Sequence, residues 1–484
     1  MTVRVSPFRH LIEVALRDVT PIRLWLLFAT ATLGSFLFCL AAVITVKQHI
    51  HALDTVGSDA APSVIAAHRI KIGVASMDGA LADELLSATG QPQARELVED
   101  FEKNRMNVCR ELVAAAKNIT YGHAEQGPIE NIQIALGTYE MQAQMARDLH
   151  QAGKEAEAVA AYRQGLATLQ EKILPSADDL NKANADVLEE TYGREKSASA
   201  LSRGLVLVLG MVLVCLLLYI HIYFTVHFRR RLNLPLLLTM LTLSLFLRYL
   251  TSALADSSRG LIVAKEDAYN SVLALLDARA SAGLANSAQS RCLLDRQDLD
   301  KQQKYFQSNM DRICSLKEGL DGAAVLASAR QQLGAGQKPN LPGLTGALAD
   351  ELANVRFEGE RQAALDCLDT FLSYRDVSAK EQKLLLDGKV EEAKFIGLGY
   401  DPHGSNMAFS KFDDALVRTL AINQEELERS VHNARHALDG LFTGSIVLSV
   451  LMVIATYLGL RPRIQEYQVE SYLHSKHTKK GHSD

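Results

Sequence analysis

Polar, helix-favouring sequence is interrupted four times along this chain by long apolar runs: Leu24 to Val46, Gly204 to Val226, Leu232 to Ala255 and Gly440 to Leu460. Each reaches or slightly exceeds the roughly 20 residues that a helix needs to cross about 30 Å of hydrocarbon. The pattern predicts four transmembrane helices. It divides the chain into a tail (1–23), a span (24–46), a long region (47–203), a span (204–226), a short loop (227–231), a span (232–255), a second long region (256–439), a span (440–460) and a tail (461–484).

Charge sets the expected orientation, because Lys and Arg close to membrane ends stay on the cytoplasmic side. Arg229, Arg230 and Arg231 fill the short loop, Arg4, Arg9, Arg17 and Arg23 mark the first tail, and Arg461, Arg463, Lys476, Lys479 and Lys480 mark the last. Both long regions are net acidic. Both termini and the loop are therefore expected in the cytoplasm and the long regions outside. The first apolar run exceeds the roughly 7 to 15 residues of a signal peptide core and follows a tail of over twenty, so it reads as an uncleaved anchor.

Both long regions are poor in strand signals and rich in Ala, Leu, Glu, Gln, Lys and Arg, which favour helices. Val159, Tyr162, Leu166, Leu169 and Ile173 step by three and four, the spacing of a helix packed on other helices. The expected class is an all-α membrane protein with two extracytoplasmic helical bundles. Breaks are expected at Thr89 to Pro92, from Tyr121-Gly122 to Gly127-Pro128, and at Gly153, with a kink at Pro175. In the second region, Asp256 to about Asp295 continues the third span, Leu333 to Gly346 reads as a linker, and Gly397 to Asn406 as a break. "NADVLEE" at Asn184 and "NQEELER" at Asn423 share Asn and, four later, Leu188 and Leu427, at equivalent distances before a span. An internal duplication is expected.

Candidate chemistry is sparse. The chain has no phosphate-cradling glycine loop, H-E-x-x-H, paired C-x-x-C or G-x-S-x-G, so an enzyme reading has no support, and no cofactor is expected. A net charge of −5 with no basic face on the long regions gives nucleic acid no electrostatic footprint. Of six cysteines, Cys39 and Cys215 lie in spans; one disulfide among Cys292, Cys314 and Cys367, or buried thiols, are both open. His49 and His51, two apart, point to different faces of a helix and read as interfacial residues. His474 and His477 lie in a basic tail suited to anionic lipid. Arg248 is an ionised group within a span, near its outer end, where it can snorkel to the interface. Few other intramembrane polar groups accompany it, so a transporter is disfavoured.

Such a chain has room for no output domain of its own in the loop, and only short tails elsewhere. Helices running from the long regions into the spans suit the transmission of small shifts. That makes Asn184, Leu188, Asn423 and Leu427 candidate relay positions. Arg229, Arg230, Arg231, Arg461 and Arg463 are the candidate cytoplasmic contacts.

The segments "ILPSADDLNKANADVLEE" from Ile173, "AKEDAYNSVLALLDARASAGLANSAQSRCLLD" from Ala264, "LADELANVRFEGERQAAL" from Leu348, "SNMAFSKFDDALVRTLAINQEELERSV" from Ser405 and "LGLRPRIQEYQ" from Leu458 resemble an actinobacterial four-span membrane protein family, the GlnX type. The resemblance covers most of the chain. It implies a relay in which an extracytoplasmic lipoprotein, binding acidic amino acids or glutamine, signals through the membrane protein to a serine/threonine kinase of the PknG type. It carries no catalytic or ligand residues onto particular positions. The residues themselves also permit a direct small-molecule sensor or a structural envelope protein, and a homodimer would suit a signalling bundle.

Overall fold

The computed structural model describes residues 20–88, 92–228, 233–399, 401 and 403–480. The first region begins with α1 (Thr20–Asp54), a π-helical turn (Thr55–Asp59) and α2 (Ala60–Leu86), followed by α3 (Pro92–Lys117), α4 (His123–Gln151) and α5 (Glu155–Thr168). A second π turn (Leu169–Ile173) leads into α6 (Leu174–Phe228). Next come α7 (Leu234–Ile262), a third π turn (Val263–Tyr269), α8 (Asn270–Leu294) and α9 (Leu299–Ile313). Strands β1 (Ser315–Leu316) and β2 (Leu344–Thr345) bracket α10 (Gly322–Gly334). The chain ends with α11 (Ala347–Asn354), α12 (Glu360–Leu386), α13 (Val390–Gly397), α14 (Ser405–His436) and α15 (Leu441–Lys480).

Four helical stretches are long and apolar enough to cross a membrane: Ile22–Leu86, Glu155–His227, Leu234–Leu294 and Ser405–Arg463. The fold is therefore helical with four candidate spans. Its residues fall into two compact units.

The smaller, apolar unit takes the described residues of Met1–Ala52, Gly193–Gly260 and Asn433–Asp484. Its four helices neighbour one another in ring order. A Cβ on Gly210 of α6 would lie 2.7 Å from Leu247 of α7 and 3.2 Å from Phe38 of α1, so those helices close on the bare glycine. Small residues of this kind let helices approach where no hydrophobic effect drives them together. Asn233 of α7 donates to the Gly459 carbonyl of α15 at 3.0 Å, and Ser449 of α15 to the Ser35 carbonyl of α1 at 3.4 Å. Arg248 is exposed on the surface of this unit, as a snorkelling side chain would be.

The larger unit takes Leu53–Tyr192 and Leu261–His432. Here the structure departs from the expectation of two bundles: the long regions share one compact unit. Its spine is α2 and α8, which run parallel. Ala75 faces Gly283, where an added Cβ would lie 3.1 Å from the alanine methyl, and Gly79 faces Ser287. One buried cluster spans α2 to α6 and takes Leu284 from α8, and another gathers the second region and takes Ile65 and Ile72 from α2 at its edge. The heptad residues Tyr162, Leu166, Leu169 and Ile173 all face the first cluster.

Local differences have local causes. Gly127-Pro128 lies inside α4 and not in a break. Proline costs a helix one N–H and crowds the carbonyl four residues earlier; so near the α4 start, that cost falls on the first turn alone. The π turn before Pro175 stands where a kink was expected. The expected linker contains β2, which pairs antiparallel with β1. All six cysteines are free thiols, so no bridge joins Cys292, Cys314 and Cys367. The helix of the fourth apolar run continues past Arg461 and Arg463 to Lys480.

Candidate functional site

Asn184, Leu188, Asn423 and Leu427, the expected relay positions, are all buried in the larger unit, the two asparagines completely. Asn184 donates its amide to the Leu180 carbonyl at 3.0 Å and Asn423 donates to the Thr419 carbonyl at 3.2 Å. The Oδ1 atom of each is buried without a hydrogen-bond partner among the described residues. A buried acceptor left unmet is costly, which makes these positions sensitive to their neighbours.

A second set of polar clamps lies where each region begins. A π turn displaces carbonyls from the regular helical ladder, and a displaced acceptor needs another donor. Asn118, just past α3, donates to the Asp59 carbonyl at 2.6 Å and to Ser63 Oγ at 2.9 Å. Asn354, ending α11, donates to the Asp267 carbonyl at 2.7 Å and to Ser271 Oγ at 3.0 Å. Glutamates then fasten the following helices. Glu125 accepts the Thr120 and Tyr121 amides at 2.7 and 2.6 Å; Glu360 accepts those of Arg356 and Phe357 at 2.5 and 2.9 Å.

Between the regions, Lys265 on the third π turn pairs with Glu189 of α6 at 2.5 Å, and Tyr192 donates to Glu266 at 2.7 Å. Lys265 is buried and also lies over the Tyr192 and Tyr269 rings. Farther along, the buried Arg291 of α8 pairs with Asp78 of α2, which also accepts from Tyr162 of α5 at 2.8 Å. Gln289 of α8 donates to Glu381 of α12 and, at 2.9 Å, to Ser405 of α14. Burial pushes the Glu381 carboxyl up to about 8. Burial and the facing Glu360 carboxyl push Glu351 of α11 upward, and Asn423 donates to Glu351 at 3.4 Å.

The sequence brought the two asparagines to notice. It missed Asn118, Asn354, Lys265 and Glu351, whose partners lie far along the chain and belong to no spaced motif. Of the expected cytoplasmic contacts, Arg229, Arg230 and Arg231 lie outside the described residues; Arg461 is exposed and Arg463 half-buried. His49 of α1 is buried 3.3 Å from Glu195 of α6, whereas His51 is exposed. Among the described residues, no group of three or more His, Cys, Asp or Glu side chains could hold a metal ion.

These clamps define a helical protein with four candidate spans and a polar-laced larger unit. Residues 52–193 match a family model described as an actinobacterial sensor domain. The match begins and ends within a residue of the first region's share of the larger unit. No curated protein and no solved structure matches the chain. A sensing or signalling role follows from the family match.

Proposed function

We propose that this protein is a non-enzymatic transmembrane signalling adaptor of a bacterial cytoplasmic membrane. Its termini and short loop lie in the cytoplasm and its larger unit outside. The larger unit reads the state of a solute-binding lipoprotein for amino acids, and the basic inner segments pass that state to a cytoplasmic partner such as a serine/threonine kinase. The observation that carries the reading is the sensor-domain match over residues 52–193, placed between the first two apolar runs.

We also propose that the two long regions descend from one duplicated unit. Asn118 and Asn354, Glu125 and Glu360, and Asn184 and Asn423 form pairs that make like bonds in like places. Gly153 and Gly388 end α4 and α12 with φ of 71° and 77°, each followed by a lysine paired to a glutamate three residues on. The facing pairs Ala75/Gly283 and Gly79/Ser287 are then equivalent positions meeting across a local twofold axis.

Crosslinking of the tagged full-length protein in membranes, followed by mass spectrometry, tests the adaptor. A binding lipoprotein and a kinase among the captured proteins would support it. With both captured, truncation from Arg461 onward should abolish the inner capture alone; recovery of only the protein itself would count against the relay. A second reading, direct sensing of a small molecule, is favoured by an open cleft in the larger unit that carries charged side chains in its wall.

A further inference from the structure

Beside the α2/α8 spine the larger unit carries an open cleft of about 780 Å³, a size typical of small-molecule sites. Its wall takes His68 from α2, Asn181 from α6, Asp277 from α8, Arg312 near the end of α9, Lys338 from the segment before β2 and Asp350 from α11. The cleft therefore joins both long regions.

Two observations separate it from an ordinary surface furrow. The first is its polarity compared with the equivalent place across the spine. Under the pairing that aligns Ala75 with Gly283, His68 corresponds to Leu276; under the pairing that aligns Asn184 with Asn423, Asn181 corresponds to Leu420. Both leucines are buried in the second region's core cluster. At these two positions the cleft carries hydrogen-bonding side chains where the other side has buried leucines. Arg312 and Lys338 come from the stretch around α9 and α10, which enlarges the second region.

The second observation is the arrangement of charge. Arg312 and Asp277 form a half-exposed pair at 3.2 Å. Lys338 and Asp350 are exposed and have no ion pair among the described residues. The cleft thus offers two cations and two anions with balanced charge. A ligand bearing one sign only would leave half of this set repelling it, because like charges brought together cost free energy just as opposite ones gain it. His68 Nδ1 is engaged by the Val64 carbonyl at 3.0 Å, which leaves Nε2 for a neutral hydrogen bond.

We propose that this cleft binds a small zwitterionic solute, its anionic group held by Arg312 and Lys338 and its cationic group by Asp277 and Asp350. The inference rests on the direct-sensing reading and deepens it. It also supplies a route for the signal. Asn354 lines the cleft on the same helix as Asp350, and its amide holds the carbonyls of Glu266 and Asp267 on the third π turn. Occupancy that shifts α11 would move a clamp on the helical stretch Leu234–Leu294.

The test is isothermal titration of the full-length protein in lipid nanodiscs with glycine betaine, carnitine, γ-aminobutyrate and the common α-amino acids. Sodium acetate and tetramethylammonium chloride are the single-charge controls. At least one zwitterion should bind, and neither control. Asp350→Asn and Lys338→Met should each weaken that binding about tenfold or more, as the loss of a charged hydrogen bond does. Both positions are exposed, so unchanged ligand-free melting would show that the variants fold. No binding by any zwitterion, equal binding of acetate, or a zwitterion indifferent to both substitutions would overturn the proposal. The relay reading fails separately, since it stands or falls on partner capture and not on this titration.

Discussion

Lys265 and Glu189 meet at 2.5 Å with very different exposure: the lysine is 5 % exposed and the glutamate 62 %. The buried member carries the penalty. Removing the glutamate leaves an ammonium supported by Asn270 Oδ1 at 2.9 Å and two aromatic rings, whereas removing the lysine leaves a carboxylate that water can reach. Glu189→Ala should therefore destabilise the protein more than Lys265→Met, by about 1–2 kcal/mol, because a buried ammonium left without its counterion costs more than a carboxylate returned to water. Chemical denaturation of the two variants and the double variant checks this. The reverse order would show that the lysine is not held as a buried charge.

The α2/α8 spine makes a steric prediction. Gly283 lies against Ala75 so closely that Gly283→Val should push the helices apart, at a cost of about 1–3 kcal/mol for overpacking. Gly137 is also in a helix but has open space around its Cβ position, so Gly137→Ala should be neutral or stabilising by up to about 1 kcal/mol. Thermal melting of both separates helix propensity from close approach.

Glu381 gives a pH prediction. Its carboxyl, raised to about 8 by burial, keeps its proton in the folded protein across a range where the unfolded chain has lost it. Stability should fall as pH rises from about 4.5 to about 8 and level off above, since the folded state binds more protons in that window. Melting near pH 5.5 should exceed melting near pH 8.5 by several degrees, and Glu381→Gln should remove part of the difference, the rest belonging to other carboxyls raised by burial such as Glu351. A dependence unchanged in that variant would assign it to other groups.

The thiols give a fourth. Burial pushes Cys314 and Cys367 up to about 12, so neither is a thiolate at neutral pH. A hydrophilic maleimide should leave both unlabelled in the native protein and modify both after denaturation, with no reductant needed. A requirement for reductant would reveal a bridge.

The apolar runs were legible because a span is a local property: some twenty residues with at most one charge announce themselves. So was the Tyr162 to Ile173 heptad, whose residues face one core. The π turns were not, because one extra residue in a helical turn barely disturbs a period of 3.6 over so short a window. Nor was the sharing of one unit by both regions. That depends on Gly283 meeting Ala75 and on Arg291 meeting Asp78, contacts between residues more than two hundred positions apart. For the site, Asn184 and Asn423 were visible through a faint likeness, while Asn118 and Asn354 sit amid sequences too different to align by eye.

The shared core has a practical meaning for where this protein can be cut. Residues 52–193 match the sensor-domain family model, yet the face of α2 that meets α8 is completed only by the second region. Expressed alone, the recognised segment would present that face to water as a sticky, unfinished surface. The family match and the compact unit draw their boundaries in different places: the match stops at residue 193, whereas the unit goes on to take in Leu261–His432.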